Sequence, residues 1–496
     1  MTNAFTSAVK DVPDSVTENG AATFSTTLNN CVDFFSKGGA LRGKLSDATE
    51  LFRRSLSEDK VTATKIVLWL RDAREGAGER DLGRGLIRFM IDSPTHRKFL
   101  DEAMFEVVEK LPELGRWDDL VDLVEFAIST PHGADAVLMR RFQIVEQVIS
   151  LIKKALSEDK NGLCAKWMPR KGVAAAFIRE RLGMTPKQYR KTIVGLSNTV
   201  EQKMCAKEWG LIDYSKLPSI AQFRYQEAFK KNDGDRYSDF AKKAESGEVK
   251  VNATVLGPHM VANLVVTGRG EKSMVNAQWN ALPNYVGMAS VIPVIDCSGS
   301  MEALIPNTNI RAMDVSTGLG AYCATKNTGP FKNIWCEFSS HSTIKTLPNL
   351  GIYEVLQGLR RESWGGSTNI QAAFDAILKI CVKNNVPAED APKALLIISD
   401  MEFNSCTHPG QTNFQAAREK YFKAGYPMPK VIFWNVMSRG LDNSPVRFDQ
   451  NGTALISGFS PAILKTVLDG ELENFSPINV MKRTLSNPRY DLKVAA

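Results

Sequence analysis

The sequence predicts an α + α/β protein in which a solenoid of paired helices is followed by a doubly wound, mostly parallel sheet. Two observations lead to this fold class. Apolar residues recur at helical spacing from about residue 48 to residue 245, and after about residue 285 short apolar runs of strand length alternate with helical stretches. A chain of 496 residues, 43% of them hydrophobic, is long enough to give each part its own core.

The first 47 residues are polar, show no sustained period and are expected to form an N-terminal arm. Within them, the segment from Gly38 to Leu45 nearly matches the phosphate-binding GxxxxGK[ST] loop. Leu45 stands where a hydroxyl would bind magnesium, and the residues before Gly38 do not make a convincing strand. We therefore expect no nucleotide site here.

Segment 48–285 is predicted to be the solenoid. Amphipathic spacing is clear at Leu82, Leu86 and Met90, and Ser93-Pro94 is one of several short breakers between such stretches. Amphipathic stretches separated by short breakers are typical of antiparallel helix pairs, and their succession resembles HEAT-like solenoids.

Segment 286–496 is predicted to be the α/β domain. Parallel strands buried on both faces read as continuous apolar runs, and the intervening stretches have helical length. The predicted strands are 291–295, 334–338, 394–399 and 431–436, and the predicted helices include 312–325 and 370–383. Such sheets bind ligands at the carboxyl ends of their strands.

Composition excludes several classes of protein. No apolar run approaches the roughly 20 residues that span a bilayer, and the N-terminus MTNAFTSAVKD lacks the apolar core of a secretion signal. The eight cysteines are scattered, with neither a CxxC pair nor zinc-ligand spacing. We expect a soluble, cytoplasmic protein with reduced thiols and no membrane partner.

Polar residues follow the first predicted strand in the sequence VIPVIDCSGSM, where Asp296, Ser298 and Ser300 form an Asp-x-Ser-x-Ser loop. One carboxylate and two hydroxyls are hard oxygen ligands, which suit Mg²⁺ or Mn²⁺ rather than zinc. Because the loop alone cannot fill an octahedron, further oxygens are expected from other strand ends. The candidates are Thr368, in the loop Trp364-Gly-Gly-Ser-Thr-Asn369, and Asp400, directly after an apolar strand.

These positions resemble the metal-ion-dependent adhesion site of von Willebrand factor A domains. That site combines Asp-x-Ser-x-Ser with a distant Thr in a Gly-rich loop and a distant Asp after a later strand, and residues 286–496 match it at Asp296, Ser298, Ser300, Thr368 and Asp400. The resemblance implies that the serines and the threonine bind the ion directly and the aspartates directly or through water. It also implies an open position for a carboxylate of a protein partner.

A solenoid followed by an A domain is the arrangement of the Ro ribonucleoprotein family, whose helical part is of the TROVE type. The chain also resembles, along nearly its whole length, a related family of the same architecture whose function is uncharacterised. The segments that carry this resemblance are TENG (17–20), VLWLRDAREGAGERD (67–81), LGRWDDL (114–120) and SDMEF (399–403). The Ro resemblance implies RNA binding by the helical part. Architecture transfers between relatives better than function does.

The middle of the solenoid is basic, with 21 Lys and Arg against 12 Asp and Glu between Lys153 and Lys250. Cations interleaved with Trp167 and Tyr189 suit an RNA path, in which lysines and arginines hold phosphates and aromatic rings stack on bases. Solvated helix faces of a long solenoid are the alternative explanation. The candidate RNA-binding residues are Lys166, Arg170, Lys171, Arg179, Arg181, Lys187, Arg190 and Lys191.

Catalysis is not expected. The window around Ser298 is not Gly-x-Ser-x-Gly, and Ser298 stands where a phosphatase would carry its second aspartate. The five histidines offer few general bases. We expect a Ro-like RNA-binding scaffold with a metal-dependent A domain; the alternative is a protein-interaction or assembly component that uses the metal site without binding RNA.

Overall fold

The computed structural model describes residues 11–129, 135–361, 366–408, 410–468 and 475–494. Trp364 and Gly365, which belong to the predicted Thr368 loop, lie outside this part of the chain. The described residues form a helical region followed by an α/β domain, which confirms the predicted fold class.

The helical region is a succession of helices joined mostly by short connections, with longer ones at 206–218 and 246–257. Many begin at a side-chain cap; for example, Thr185 and Gln188 form a capping box before Pro186 at the start of one helix. The α-helices are Asn30–Gly38, Leu45–Glu58, Lys60–Arg71, Arg80–Asp92, Arg97–Leu114, Trp117–Ser129, Asp135–Ser157, Gly162–Trp167, Val173–Arg181, Pro186–Ser197, Val200–Cys205, Ser219–Asn232, Gly234–Glu245, Pro258–Val266 and Lys272–Asn280.

The α/β domain is built on a six-stranded sheet whose strands, numbered after the short β1 (Ser15–Val16) and β2 (Ala22–Thr23), are β3 (Val291–Asp296), β4 (Ile334–Phe338), β5 (Ser342–Thr346), β6 (Ala394–Ser399), β7 (Lys430–Asn435) and β8 (Thr453–Ser457). Their order across the sheet is β5-β4-β3-β6-β7-β8. All neighbouring pairs are parallel except β4 and β5. The α-helices of this domain are Ala312–Lys326, Ile352–Arg361, Ile370–Lys383, Asn413–Lys423, Ile463–Leu468 and Pro477–Leu485. Central strands β3 and β6 are buried along their whole length, as their unbroken apolar sequences require.

Residues 11–44 lie against the α/β domain. They include a two-stranded sheet, β1 (Ser15–Val16) with β2 (Ala22–Thr23), as well as helix Asn30–Gly38. Phe24 and Ser444 exchange two backbone hydrogen bonds of 3.0 and 2.8 Å. The first described residues therefore pack against the α/β domain.

The loop before helix Leu45–Glu58 and the helix Pro258–Val266 both meet the α/β domain at Phe459, two residues after β8. The guanidinium of Arg42 lies 4.1 Å from the centre of the Phe459 ring, and the ring of His259 packs against the same phenylalanine with centres 5.2 Å apart. Phe459 is buried. The helices therefore leave the α/β domain and return to the same place on it.

Candidate metal centre and basic helical surface

Asp296 and Asp400 come together because their strands are neighbours. β3 and β6 are parallel with Ile295 opposite Ile398, so Asp296 ends β3 beside Ser399, and Asp400 follows at the same edge. Parallel strands end at one edge of a sheet, which brings the two carboxylates to a common site.

The Asp296 carboxylate is fully buried. One of its oxygens accepts a hydrogen bond from the Ser298 backbone N–H at 2.9 Å, and the other accepts one from the Ser399 hydroxyl at 2.5 Å. Burial raises the pKa of Asp296 to about 7, and the nearby charge of Asp400 adds to the rise. Both hydrogen bonds to Asp296 come from neutral groups, a backbone N–H and a hydroxyl.

The hydroxyls of Ser298 and Ser300 lie 3.1 Å apart. The loop that carries Thr368 reaches this point, since a β-carbon on Gly299 would stand 3.7 Å from the Gly366 carbonyl oxygen. Thr368 itself is buried and exchanges two hydrogen bonds of 2.6 and 2.9 Å with Asn404. The structure thus gathers the three loops at the carboxyl edge of the sheet.

Arg439 is a site residue that the sequence interpretation missed. It lies in the loop after β7, and its side chain donates to an Asp400 carboxylate oxygen at 3.2 Å and to the Ser300 carbonyl oxygen at 3.0 Å. The other Asp400 oxygen accepts the Glu402 backbone N–H at 3.2 Å. The strand-end rule that singled out Asp296 and Asp400 points to the loop after β7 as well, but it does not select Arg439 within that loop.

The donor set fits a hard divalent cation. Two buried carboxylates lie at the same edge of the sheet, and Arg439 is the one cation in the described chain that contacts either of them. No group of three or more His, Cys, Asp or Glu side chains in these residues is arranged to hold an ion. An ion at this edge would therefore depend on the hydroxyls of Ser298, Ser300 and Thr368, a set suited to Mg²⁺ or Mn²⁺.

The eight candidate RNA-binding cations fall into two groups. Three are engaged or half-buried: Lys166 lies 3.7 Å from Glu201, Arg181 pairs with Glu146, and Arg179 is only partly exposed. The other five are exposed and have no ion-pair partner among the described residues; they are Arg170, Lys171, Lys187, Arg190 and Lys191. Positions 187, 190 and 191 share one face of helix Pro186–Ser197 because they are three and four residues apart.

The predicted stacking role of Tyr189 is wrong. Its ring is buried and its hydroxyl donates to the Pro169 carbonyl oxygen at 3.0 Å, so it belongs to the core of these helices. Trp167 is half-buried, with the Arg116 guanidinium 5.4 Å from its ring centre. Lys166 also lines a cavity of about 690 Å³, whose other lining residues come from the stretch 161–218.

Within the described ranges, no helix combines the length and the apolar character needed to cross a membrane.

Comparisons with known proteins place both parts of the chain near families of unassigned role. Residues 290–487 match a family described as "Domain of unknown function (DUF7788)", and residues 174–287 match "Domain of unknown function (DUF2828)". The chain is 28% identical over 519 aligned residues to "Uncharacterized protein L728" of Acanthamoeba polyphaga mimivirus, which covers 95% of this chain and 87% of that protein. The helical and α/β parts therefore occur together in a second protein.

Among solved structures, the chain is similar to the Ro (RSR) protein of Deinococcus radiodurans. The identity is 11% and the TM-score is 0.40, over 93% of this chain and 99% of that one.

Proposed function

We propose that this chain is a non-catalytic binding protein whose α/β domain binds Mg²⁺ or Mn²⁺ at Asp296, Ser298, Ser300, Thr368 and Asp400. The observation that carries the proposal is a pair of buried carboxylates beside two serine hydroxyls 3.1 Å apart, with one guanidinium for two negative charges. Buried charge of one sign is costly unless a counter-charge joins it. A divalent cation supplies that charge.

Each residue has a distinct part in this proposal. The hydroxyls of Ser298, Ser300 and Thr368 would be the direct ligands. Asp296 and Asp400 already accept hydrogen bonds on both oxygens, so they would contribute mainly negative charge, directly or through water. The bound ion would place a positive charge at the edge of the sheet. We propose that a carboxylate of a protein partner occupies its remaining coordination position.

Titration calorimetry with Mn²⁺ tests the metal site. The wild-type protein should bind one ion, and Asp296→Ala should lose most of that affinity because the site loses a buried negative charge. Asp375→Ala is the matched control, since Asp375 is a half-exposed carboxylate of the same domain that pairs with Lys420. Equal affinity of the wild type and Asp296→Ala would refute the proposal.

RNA binding by the helical region is a second proposed function. The observation that favours it is the set of five exposed cations without ion-pair partners in the described chain, three of them on one face of helix Pro186–Ser197. Lysines and arginines not already paired are free to neutralise phosphates. Since Tyr189 is buried, we propose binding that is mainly electrostatic.

Salt dependence tests this second function. Affinity for a single-stranded RNA oligonucleotide should fall by about 0.7 log units per log unit of salt for each phosphate contacted. The triple variant Lys187→Glu, Arg190→Glu, Lys191→Glu should lose most of the binding. Lys379→Glu, Lys383→Glu, Lys393→Glu is the control, because it changes the net charge equally at exposed positions of the α/β domain.

Equal loss in both triple variants would mean that net charge alone governs RNA binding. If the wild-type protein binds no RNA even at low salt, the assembly role without RNA is the remaining function. Partners that co-purify in Mg²⁺ but not in a chelator, with and without ribonuclease, then identify the ligand of the metal site.

A further inference from the structure

The three nitrogens of the Arg439 guanidinium all contact protein acceptors. Nε lies 3.2 Å from an Asp400 carboxylate oxygen, Nη2 lies 3.0 Å from the Ser300 carbonyl oxygen, and Nη1 lies 3.5 Å from a Glu18 carboxylate oxygen. Asp400 is fully buried, whereas the Glu18 side chain is 59% exposed. The two inner contacts therefore dominate, because an ion pair loses most of its strength in water.

Arg439 holds two parts of the candidate metal site at once. Its contacts join the loop after β3, through Ser300, to the loop after β6, through Asp400. It also neutralises one of the two buried carboxylates. A planar guanidinium suits both tasks, since its fixed fork donates in several directions while keeping its charge at any ordinary pH.

We propose that Arg439 is a positioning residue and the built-in counter-cation of the metal site, and that it sets the affinity for the divalent ion. The inference rests on the proposed metal-binding function. When no ion is bound, Arg439 keeps the loops after β3 and β6 together, because it contacts Ser300 in the first loop and supplies a counter-charge to Asp400 in the second. The same positive charge repels an incoming cation, so the site binds its ion more weakly than the acidic residues alone would allow.

This role makes two predictions of opposite sign. Without an ion, Arg439→Gln should lower the melting temperature, since Asp400 is left buried without a counter-charge. The same substitution should tighten Mn²⁺ binding by on the order of tenfold, because one positive charge next to the ion is gone. A purely structural role for Arg439 would instead weaken both stability and ion binding.

Calorimetry with Mn²⁺ and thermal unfolding in a chelator measure the two effects on the full chain. Arg418→Gln is the control, since Arg418 is an exposed arginine of the same domain and its loss changes the net charge equally. Arg439→Lys should keep an affinity near that of the wild type. If Arg439→Gln is unfolded without an ion, added Mn²⁺ should restore its far-ultraviolet circular dichroism.

The counter-cation role is overturned if Mn²⁺ binds Arg439→Gln no more tightly than the wild type, or if Mn²⁺ fails to refold an unfolded Arg439→Gln. Either result leaves the proposed metal site intact. An absence of Mn²⁺ binding in the wild type, Arg418→Gln and Arg439→Gln alike overturns the proposed metal function itself. Tighter binding in Arg418→Gln as well as in Arg439→Gln shows a general charge effect and also overturns the inference.

Discussion

At Gly39 the chain passes so close to β8 that no side chain fits. A β-carbon there would stand 2.6 Å from the Ser457 carbonyl oxygen and 2.8 Å from the Gly458 nitrogen, which are backbone atoms that cannot move aside. The Gly39 N–H donates to the Ser457 hydroxyl at 2.9 Å. This glycine belongs to the stretch that nearly matches a phosphate-binding loop, and close packing accounts for it.

Gly39→Ala should therefore lower the free energy of unfolding by about 1–3 kcal/mol, the usual cost of overpacking. Gly234→Ala is the comparison, because a β-carbon at Gly234 meets no atom within 4 Å and its stability should be unchanged or slightly higher. Urea unfolding of both variants measures the difference. Equal stability of the two would show that the segment 38–45 is not packed against β8 as described.

The residues of the candidate metal site could be singled out from the sequence because the pattern is local. Asp296, Ser298 and Ser300 lie within five positions after an apolar run, and Asp400 directly follows another such run. Arg439 was missed because its partner Ser300 is 139 residues away in sequence. Spacing along one loop reveals shared ligands, whereas a contact between the ends of two strands depends on which strands are neighbours.

The C-terminal segment 486–494 crosses back onto the helical region at Asp72. This carboxylate is fully buried; it receives Arg489 Nε at 2.9 Å, the Tyr490 hydroxyl at 3.0 Å and the Arg74 backbone N–H at 2.9 Å. Lys65 and Asp491 make a more exposed pair of 2.8 Å in the same segment. Asp72 is therefore the residue that anchors the segment.

Arg489→Leu should destabilise the protein by about 3 kcal/mol, because it leaves the buried Asp72 charge without its cation. Asp491→Asn should cost less than about 1 kcal/mol, as expected for an exposed pair. The double variant Asp72→Asn, Arg489→Leu no longer has the buried charge. Its loss of unfolding free energy should therefore be smaller than the sum of the losses in Asp72→Asn and Arg489→Leu. Denaturant unfolding of the wild type, Asp72→Asn, Arg489→Leu and the double variant checks this, and strict additivity would contradict it.

Four strands were predictable from their apolar runs, but β5 and β8 were not. β5 reads STIKT and lies at the sheet edge, where it pairs antiparallel with β4 and is only half-buried, so neither an apolar run nor clean alternation marks it. β8 reads TALIS, and its central apolar run is only three residues long. Tyr189 was misassigned for a related reason, since an aromatic residue between cations looks the same in sequence whether its ring faces solvent or the core.

The closure of the helical region at Phe459 is a property of the whole molecule. Arg42, His259 and Phe459 are separated by hundreds of residues, and each belongs to a different segment. Helical periodicity predicts that helices stack, but it does not fix the curvature that brings helix Pro258–Val266 back to the start of the helical region. The junction also lies after β8, so the helices close at the carboxyl edge of the sheet, the edge that carries the candidate metal site.

His259 makes this junction sensitive to acid. Its side chain is only partly exposed, and burial, together with the charge of Arg42, lowers its pKa from 6.5 to about 3. The folded protein therefore keeps His259 neutral between pH 6.5 and pH 3, while the unfolded chain binds a proton there. Stability contributed by this residue is present in full above pH 6.5 and decreases as the pH falls, by about 2 kcal/mol at pH 5.

Replacement of His259 by leucine should remove this contribution. The free energy of unfolding of the wild type should fall between pH 7 and pH 5 by about 2 kcal/mol more than that of His259→Leu, since all other titrating groups are shared. His341→Leu, at an exposed position between β4 and β5, should keep the wild-type pH dependence. An equal fall in His259→Leu and the wild type would mean that His259 is protonated in the folded protein, and hence that water reaches the junction where the helical region closes.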